Sequence, residues 1–205
     1  ITPEKSEEVL NKAGICFMFA QGYHSSMQYV GPVRKEIGIR NIFNVLGPLT
    51  HPAGADLQVT GGYSEALVEP IAQVFSNLGV KKGYVFYGMD GMDEVTLTTT
   101  TKVCEIDNGK FNTFILNPED YGLKLCAPED LAGGDGKESA EITKEILSGE
   151  IKDAKRDIVV LNAALGLCTG GKADSIQDGI KLANEIIDSG KAYAKIEEFA
   201  KASNE

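Results

Sequence analysis

The chain has 205 residues, 42% hydrophobic and 24% charged, an ordinary globular composition with enough length to bury one good-sized core. A net charge of −10 excludes a broad nucleic-acid or anionic-membrane footprint, though not a small local basic site. No apolar run approaches the roughly 18–20 residues of a membrane span, and the polar start Ile1-Thr2-Pro3-Glu4-Lys5 is no signal peptide. Cys16, Cys104, Cys126 and Cys168 are scattered without a CxxC spacing, so they read as buried small hydrophobes in a reducing cytoplasm. Because the chain begins with Ile, it is expected to be a processed, cut or truncated piece.

In chain order, Thr2-Pro3-Glu4 supplies an N-cap, a first-turn proline and a first-turn acid, which predicts a helix to about Lys12 ended by Ala13-Gly14. Ile15 to Ala20 is an apolar run of strand length, as in a sheet covered on both faces. A helix from Ser25 towards Ile37 is expected to kink or break near Gly31-Pro32 and to end at Gly38. A second short helix, Arg40 to Leu46, should stop at Gly47-Pro48, with Thr50 to Gly54 as loop. Leu57 to Tyr63 and Gly83 to Tyr87 read as strands joined by a helix from Glu65 to Leu78, a βαβ unit and hence a parallel pair.

Gly88 to Glu94 is then a loop at the carboxyl end of a strand, where ligands of open α/β sheets sit. Val95 to Thr101 is a threonine-rich extended piece. Asn108-Gly109 between two β-prone runs predicts a hairpin. Gly133 to Gly136 reads as a flexible loop. Helices are expected over Glu138–Leu147, Ala154–Cys168, Ser175–Ser189 and Ala192–Lys201.

Three groups of residues carry chemistry. Asp90, Asp93 and Glu94 suit Mg²⁺, a hard cation that takes carboxylate oxygens and keeps several waters; a solvated acidic turn is the competing reading. Arg34 and Lys35, with Arg40 nearby, make a local anion site, against a surface ion pair with Glu36. His24 could donate to a ligand or simply cap and pack, and His51 reads as structural. Gly133-Gly134-Asp135-Gly136 and Thr169-Gly170-Gly171-Lys172 lack the preceding strand and spacing of a phosphate loop, and the second reads as a helix C-cap. No Ser-His-Asp or Cys-His arrangement can be drawn.

The segment His24-Ser25-Ser26-Met27, with Val30-Gly31-Pro32-Val33-Arg34 through Asn44, Gly47-Pro48-Leu49-Thr50 and Pro52-Ala53-Gly54, resembles the anthranilate phosphoribosyltransferase family of tryptophan biosynthesis. Tyr87-Gly88-Met89-Asp90-Gly91-Met92-Asp93-Glu94 resembles that family's HGxDGxDE-type loop. Leu161-Asn162-Ala163-Ala164 and Gly171-Lys172-Ala173-Asp174-Ser175 resemble its closing helices.

The likeness implies an α/β fold of the nucleoside phosphorylase type, with a mostly parallel central sheet flanked by helices, a β-hairpin and a helical C-terminus, spanning residues 1–205. It implies a glycosyltransferase that moves the phosphoribosyl group of phosphoribosyl pyrophosphate onto anthranilate, releasing pyrophosphate. Arg34 would hold the anthranilate carboxylate, His24 would line the same pocket, Pro48 would stand near its wall, and Asp93 and Glu94 would bind Mg²⁺. No catalytic nucleophile is implied.

The family usually carries His-Pro-Ala-Met where this chain has His24-Ser25-Ser26-Met27, and His in place of Tyr87. Its N-terminal helical domain, GTGGD-type phosphate loop and KHGN-type segment do not appear. The expectation is therefore a C-terminal portion, inactive by itself, in which residues 24–52 would pack against the helical domain. Ser25 to Leu46 should then be its most exposed apolar part, a surface for contact between copies. The family enzyme is a homodimer through contacts largely in that domain, so that homodimer is not expected of this chain, and any contact between copies would run through Ser25 to Leu46. The likeness also implies association with the glutamine amidotransferase of the anthranilate synthase system, and neither a nucleic acid nor a membrane as partner. The rival readings are a non-enzymatic nucleic-acid-binding relative, disfavoured by the charge, and a pyrimidine nucleoside phosphorylase-like enzyme, disfavoured by Arg34 and the Asp93-Glu94 pair.

Overall fold

A computed structural model describes residues 1–24, 27–39 and 42–205, apart from the side chains of Met27, Gln28 and Arg34. It divides into two compact units, residues 1–54 with 193–205, and residues 55–192. No helix among the described residues is long and apolar enough to cross a membrane.

The first unit is helical. Helix α1 (Pro3–Ala13) starts where Thr2 Oγ1 accepts the Lys5 amide at 3.2 Å and ends at Gly14, whose φ of 72° is left-handed. Its Val9 and Ala13 bury against Phe199 and Ala202 of the C-terminal helix α9 (Lys191–Asn204). Between them, the run expected to be a buried strand is not one. Ile15 to Phe19 has no strand assignment, Phe17 is exposed, and Ala20–Tyr23 form the single-turn helix α2. A strand needs a neighbour to pair its amides and carbonyls. No strand stands beside this run among the unit's described residues.

Helix α3 (Met27–Ile37) runs through Pro32, and α4 (Phe43–Leu49) runs through Pro48, where the sequence predicts an end at Gly47-Pro48. A proline removes one amide donor and crowds one carbonyl, yet the remaining helical bonds carry the chain past it in both places. Beyond α4, Thr50 Oγ1 donates to the Leu46 carbonyl at 2.8 Å and closes the end. Tyr29, Val33 and Ile37, spaced four apart on one stripe of α3, are all exposed, Tyr29 by 78%, in keeping with the expected apolar surface. Ser25, Ser26, Arg40 and Asn41 lie outside the described residues.

The second unit is built on a four-stranded sheet in sequence order. Strand β1 (Leu57–Gly61) pairs parallel with β2 (Lys82–Gly88), joined by a 3₁₀ turn at Glu65–Leu67 and helix α5 (Val68–Asn77). This is the expected βαβ unit, and its α/β class holds. The sheet is mixed rather than mostly parallel, because β3 (Thr101–Asp107) and β4 (Lys110–Leu116) form an antiparallel hairpin that joins β2 antiparallel. Two tight-turn residues leave no room for the helical crossover that parallel pairing requires. Asn108 and Gly109 turn the hairpin with φ of 48° and 81°, the left-handed pair that an Asn-Gly turn supplies.

The burial of β2 explains its unbroken apolar run. Tyr84 and Phe86 face the core shared with helix α7 (Ala154–Thr169) through Val160, Leu161 and Leu165. Val85, on the alternate face, is fully buried on the side where α5 packs. Helices α6 (Gly136–Leu147), α7 and α8 (Ile176–Asp188) each begin at a side-chain cap, Asp135, Asp153 and Ser175. The glycine-rich run at 133–136 is thus the approach to a helix, with Asp135 Oδ1 accepting from the Lys137 and Glu138 amides at 2.9 Å. Thr169 to Lys172 is a C-cap, as expected, the Lys172 amide donating to the Leu167 carbonyl at 2.8 Å.

Candidate functional site

The loop from Gly88 to Glu94 leaves the carboxyl end of β2, beside the carboxyl end of its parallel neighbour β1. Strand pairing stops there, so the loop must satisfy its own backbone. It does so compactly: the Gly88 amide donates to the Met92 carbonyl at 2.9 Å, the Gly91 amide to the Gly88 carbonyl at 2.8 Å, and the Met89 amide to the Thr100 carbonyl at 3.0 Å. Gly91 has a φ of 97°, a conformation that a side chain would strain.

Asp90 is the internal tie of this loop. Its Oδ1 accepts the Met92 amide at 3.0 Å, and its Oδ2 accepts the Thr96 hydroxyl at 2.6 Å and the Thr98 hydroxyl. The Thr96 amide donates in turn to Thr101 Oγ1 at 3.1 Å, at the start of β3. Burial works against the charge of the Asp90 carboxyl. The Thr96 and Thr98 hydroxyls and the Met92 amide outweigh it and hold the group below the usual carboxylate range. The threonine-rich stretch is therefore a donor array for one carboxylate, with strand geometry beginning only at Thr101.

Asp93 and Glu94 are left over. Both are exposed, and no hydrogen bond or ion pair among the described residues engages either carboxylate. Desolvation at the crowded strand end, and then the neighbouring Asp93 charge, push the Glu94 carboxyl above its ordinary value. Two adjacent carboxylates without a cationic side chain beside them among the described residues are the kind of oxygen donors a hard cation takes. No group of three or more His, Cys, Asp or Glu that could hold a metal occurs among the described residues. Two carboxylates still fit Mg²⁺, which takes one or two of them and completes its six oxygens with water and phosphate. The third acid of the sequence cluster, Asp90, is committed to Thr96 and Thr98 and is no ligand here.

Asp90→Ala is expected to lower stability by about 2 kcal/mol, since hydrogen bonds to a charged acceptor are each worth roughly 1.5–3 kcal/mol and this one is partly solvated. The sign with pH follows from its depressed value. The stabilisation is complete above the ordinary 3.8 and disappears as pH falls through the lower folded-state value. Urea titrations at neutral pH and near pH 3 should show the wild-type advantage shrink in acid.

The remaining candidates lie in the first unit. His24 is half-buried at the end of α2, its amide donating to the Ala20 carbonyl at 2.9 Å. Pro48 is exposed near the end of α4. Arg34 falls on α3, and its side chain lies outside the described residues. His51 lies in the turn after α4, its Nδ1 accepting the Ala53 amide at 3.2 Å.

Two supports of the loop are not evident from the sequence patterns above. Gly61, the last residue of β1, faces the loop so closely that an ideal Cβ would stand 1.7 Å from the Asp93 carbonyl oxygen. Asn162, midway along α7, grips the backbone of Val95: its Oδ1 accepts the Val95 amide at 2.9 Å and its Nδ2 donates to the Val95 carbonyl at 2.8 Å. The Gly61-Gly62 pair at a strand end is a readable sign of close backbone approach. Nothing in the sequence alone ties Asn162 to Val95, 67 residues away.

The chain is 51% identical to the anthranilate phosphoribosyltransferase of Methanobrevibacter smithii over 204 residues, covering 100% of this chain and 61% of that relative. It is also 51% identical to that of Ruminiclostridium cellulolyticum, covering 100% of this chain and 60% of that one. It thus spans about three fifths of the length of these curated relatives. Among solved structures, anthranilate phosphoribosyltransferase from Thermus thermophilus superposes with a TM-score of 0.92 at 38% identity, covering 100% of this chain and 60% of that chain. The Saccharomyces cerevisiae enzyme in complex with PRPP and Mg superposes with a TM-score of 0.91 at 27% identity, covering 100% of this chain and 58% of that chain. The glycosyl transferase family, a/b domain, matches residues 1–193, and the chain belongs to that family.

Proposed function

We propose that this chain carries the anthranilate-binding and metal-binding residues of an enzyme that transfers a phosphoribosyl group from phosphoribosyl pyrophosphate to anthranilate in tryptophan biosynthesis. The observation that carries the reading is the Asp93-Glu94 pair, unengaged at the carboxyl end of β2, in a chain 51% identical to anthranilate phosphoribosyltransferases. In the reaction, the anthranilate nitrogen forms a bond to ribose C1 as the bond from C1 to the pyrophosphate oxygen breaks. The nitrogen gives up one proton, and N-(5-phosphoribosyl)anthranilate and pyrophosphate leave.

Arg34 pairs with the anthranilate carboxylate, a planar fork against a planar acceptor, while His24 and Pro48 line the ring's pocket. Asp93 and Glu94 hold Mg²⁺, which when bound neutralises the departing pyrophosphate. The chain contributes position and charge rather than a nucleophile, so substrate orientation and electrostatics carry the catalysis. The Mg in the yeast complex with PRPP supports this choice of metal.

Two titrations of the 205-residue chain test the proposal. Anthranilate binding is followed by its own fluorescence, and Mn²⁺, in place of Mg²⁺, by water-proton relaxation. The wild-type chain binds both ligands. Arg34→Ala weakens anthranilate binding by about tenfold or more, equal to 1.4 kcal/mol per decade, and leaves Mn²⁺ binding unchanged. A folded chain that binds neither ligand overturns the reading.

A further inference from the structure

The Asn162 side chain makes a two-point contact with a single residue of another element. Its amide oxygen and nitrogen meet the amide and carbonyl of Val95, as a neighbouring strand would, and the same Nδ2 also donates to the Ile158 carbonyl one turn back at 3.0 Å. Val95 directly follows Glu94, and its own side chain is fully buried in the core with Val160 and Leu161 of α7. The peptide that joins Glu94 to Val95 is therefore fixed from the amide side by Asn162 and from the far side by packing. A side chain that points to solvent has little else to fix its direction, and its Cα position is set by the peptides on either side.

We propose that Asn162 is a positioning residue for the metal. By clamping Val95 it holds the Glu94–Val95 peptide, and with it the paired carboxylates of Asp93 and Glu94, in the arrangement that accepts a divalent cation. The inference rests on the Mg²⁺ reading of that pair. It adds that α7, which supplies no ligand, sets metal affinity through one side-chain amide. The principle is the one by which groups outside the coordination shell commonly tune affinity ten- to a hundredfold, roughly, by orienting ligands.

The test uses the 205-residue chain with Mn²⁺ as the probe. Asn162→Leu keeps the branching at Cγ and removes both hydrogen bonds to Val95. It is expected to weaken Mn²⁺ binding by about tenfold or more and to speed hydrogen exchange at the Val95 amide. Ile187→Ala, on α8 in the same buried core but with no part in the clamp on Val95, serves as the control for stability alone: its melting temperature falls while Mn²⁺ affinity stays at the wild-type value. Where Asn162→Leu does not fold, Asn162→Ser replaces it, being polar but too short to reach both Val95 groups, with the same loss expected. A folded Asn162 variant with wild-type Mn²⁺ affinity overturns the inference and leaves the metal reading standing. A wild-type chain that binds no Mn²⁺ overturns the metal reading, and the inference with it.

Discussion

Gly61→Ala should destabilise the chain by about 2–3 kcal/mol, as overpacking does, and weaken Mn²⁺ binding by about tenfold or more through displacement of the loop. The added methyl would stand 1.7 Å from the Asp93 carbonyl oxygen, 2.5 Å from its carbonyl carbon and 3.1 Å from its Cα. Those are backbone atoms, not the end of a flexible side chain, so relief requires moving either the end of β1 or the loop itself. Strand β1 is held to β2 from Leu57 to Gly61, and the loop end is held by the clamp on Val95. Whichever element yields, the Asp93 peptide shifts relative to the strand end.

Gly62→Ala is the matched control. A Cβ there would lie 3.5 Å from the Phe86 carbonyl oxygen, an ordinary contact, and the Gly62 amide would keep its 2.8 Å bond to the same oxygen. Chemical denaturation and Mn²⁺ titration of both variants check the pair. Equal behaviour of the two would mean that the close approach at Gly61 carries no weight.

The sequence discloses what local rules govern. The βαβ unit, the Asn108-Gly109 turn, the capped helices and the acidic loop at a strand end each rest on residues close in the chain, where periodicity and turn chemistry act directly. What stays hidden depends on partners far along it. The Ile15–Ala20 run has the composition of a buried strand, but composition cannot supply the neighbour that makes a strand. Gly31-Pro32 reads as a kink or break and Gly47-Pro48 as a stop, and both helices continue through their prolines, because one lost hydrogen bond does not decide the fate of a helix.

The acidic cluster reads as one group in the sequence, but the structure splits it by hydrogen bonding. Asp90 faces the hydroxyls of Thr96 and Thr98 and spends its charge inside the loop, while Asp93 and Glu94 keep theirs outward. Alternating threonines behind an acidic turn are a readable signal of this division. The Asn162 clamp has no such signal, since it joins positions 67 residues apart.

Neutralising the outward pair should move stability and function in opposite directions. In the metal-free chain, Asp93→Asn/Glu94→Gln is expected to be slightly more stable than wild type, by about 0.5 kcal/mol, the scale of an exposed like-charge contact. The direction follows from Glu94, whose carboxyl is raised by desolvation and by Asp93. A carboxyl that holds its proton more tightly when folded makes stability fall as pH rises from the ordinary 4.5 through the raised value, and the deficit is complete above it. The double variant lacks that deficit, so its advantage should be present at pH 7 and vanish near pH 4.

With divalent cation present the order reverses. Wild type gains stability with metal concentration, by about 2.7 kcal/mol at a hundred times the dissociation constant, whereas the variant, with no anionic ligand left in the outward pair, gains none. Thermal melts with and without Mn²⁺ at pH 7 read both effects at once. A wild-type chain that is already the more stable in the metal-free state would show that the two carboxylates are neutralised by the fold itself. The loop would then be a solvated acidic turn rather than a site kept open for a cation.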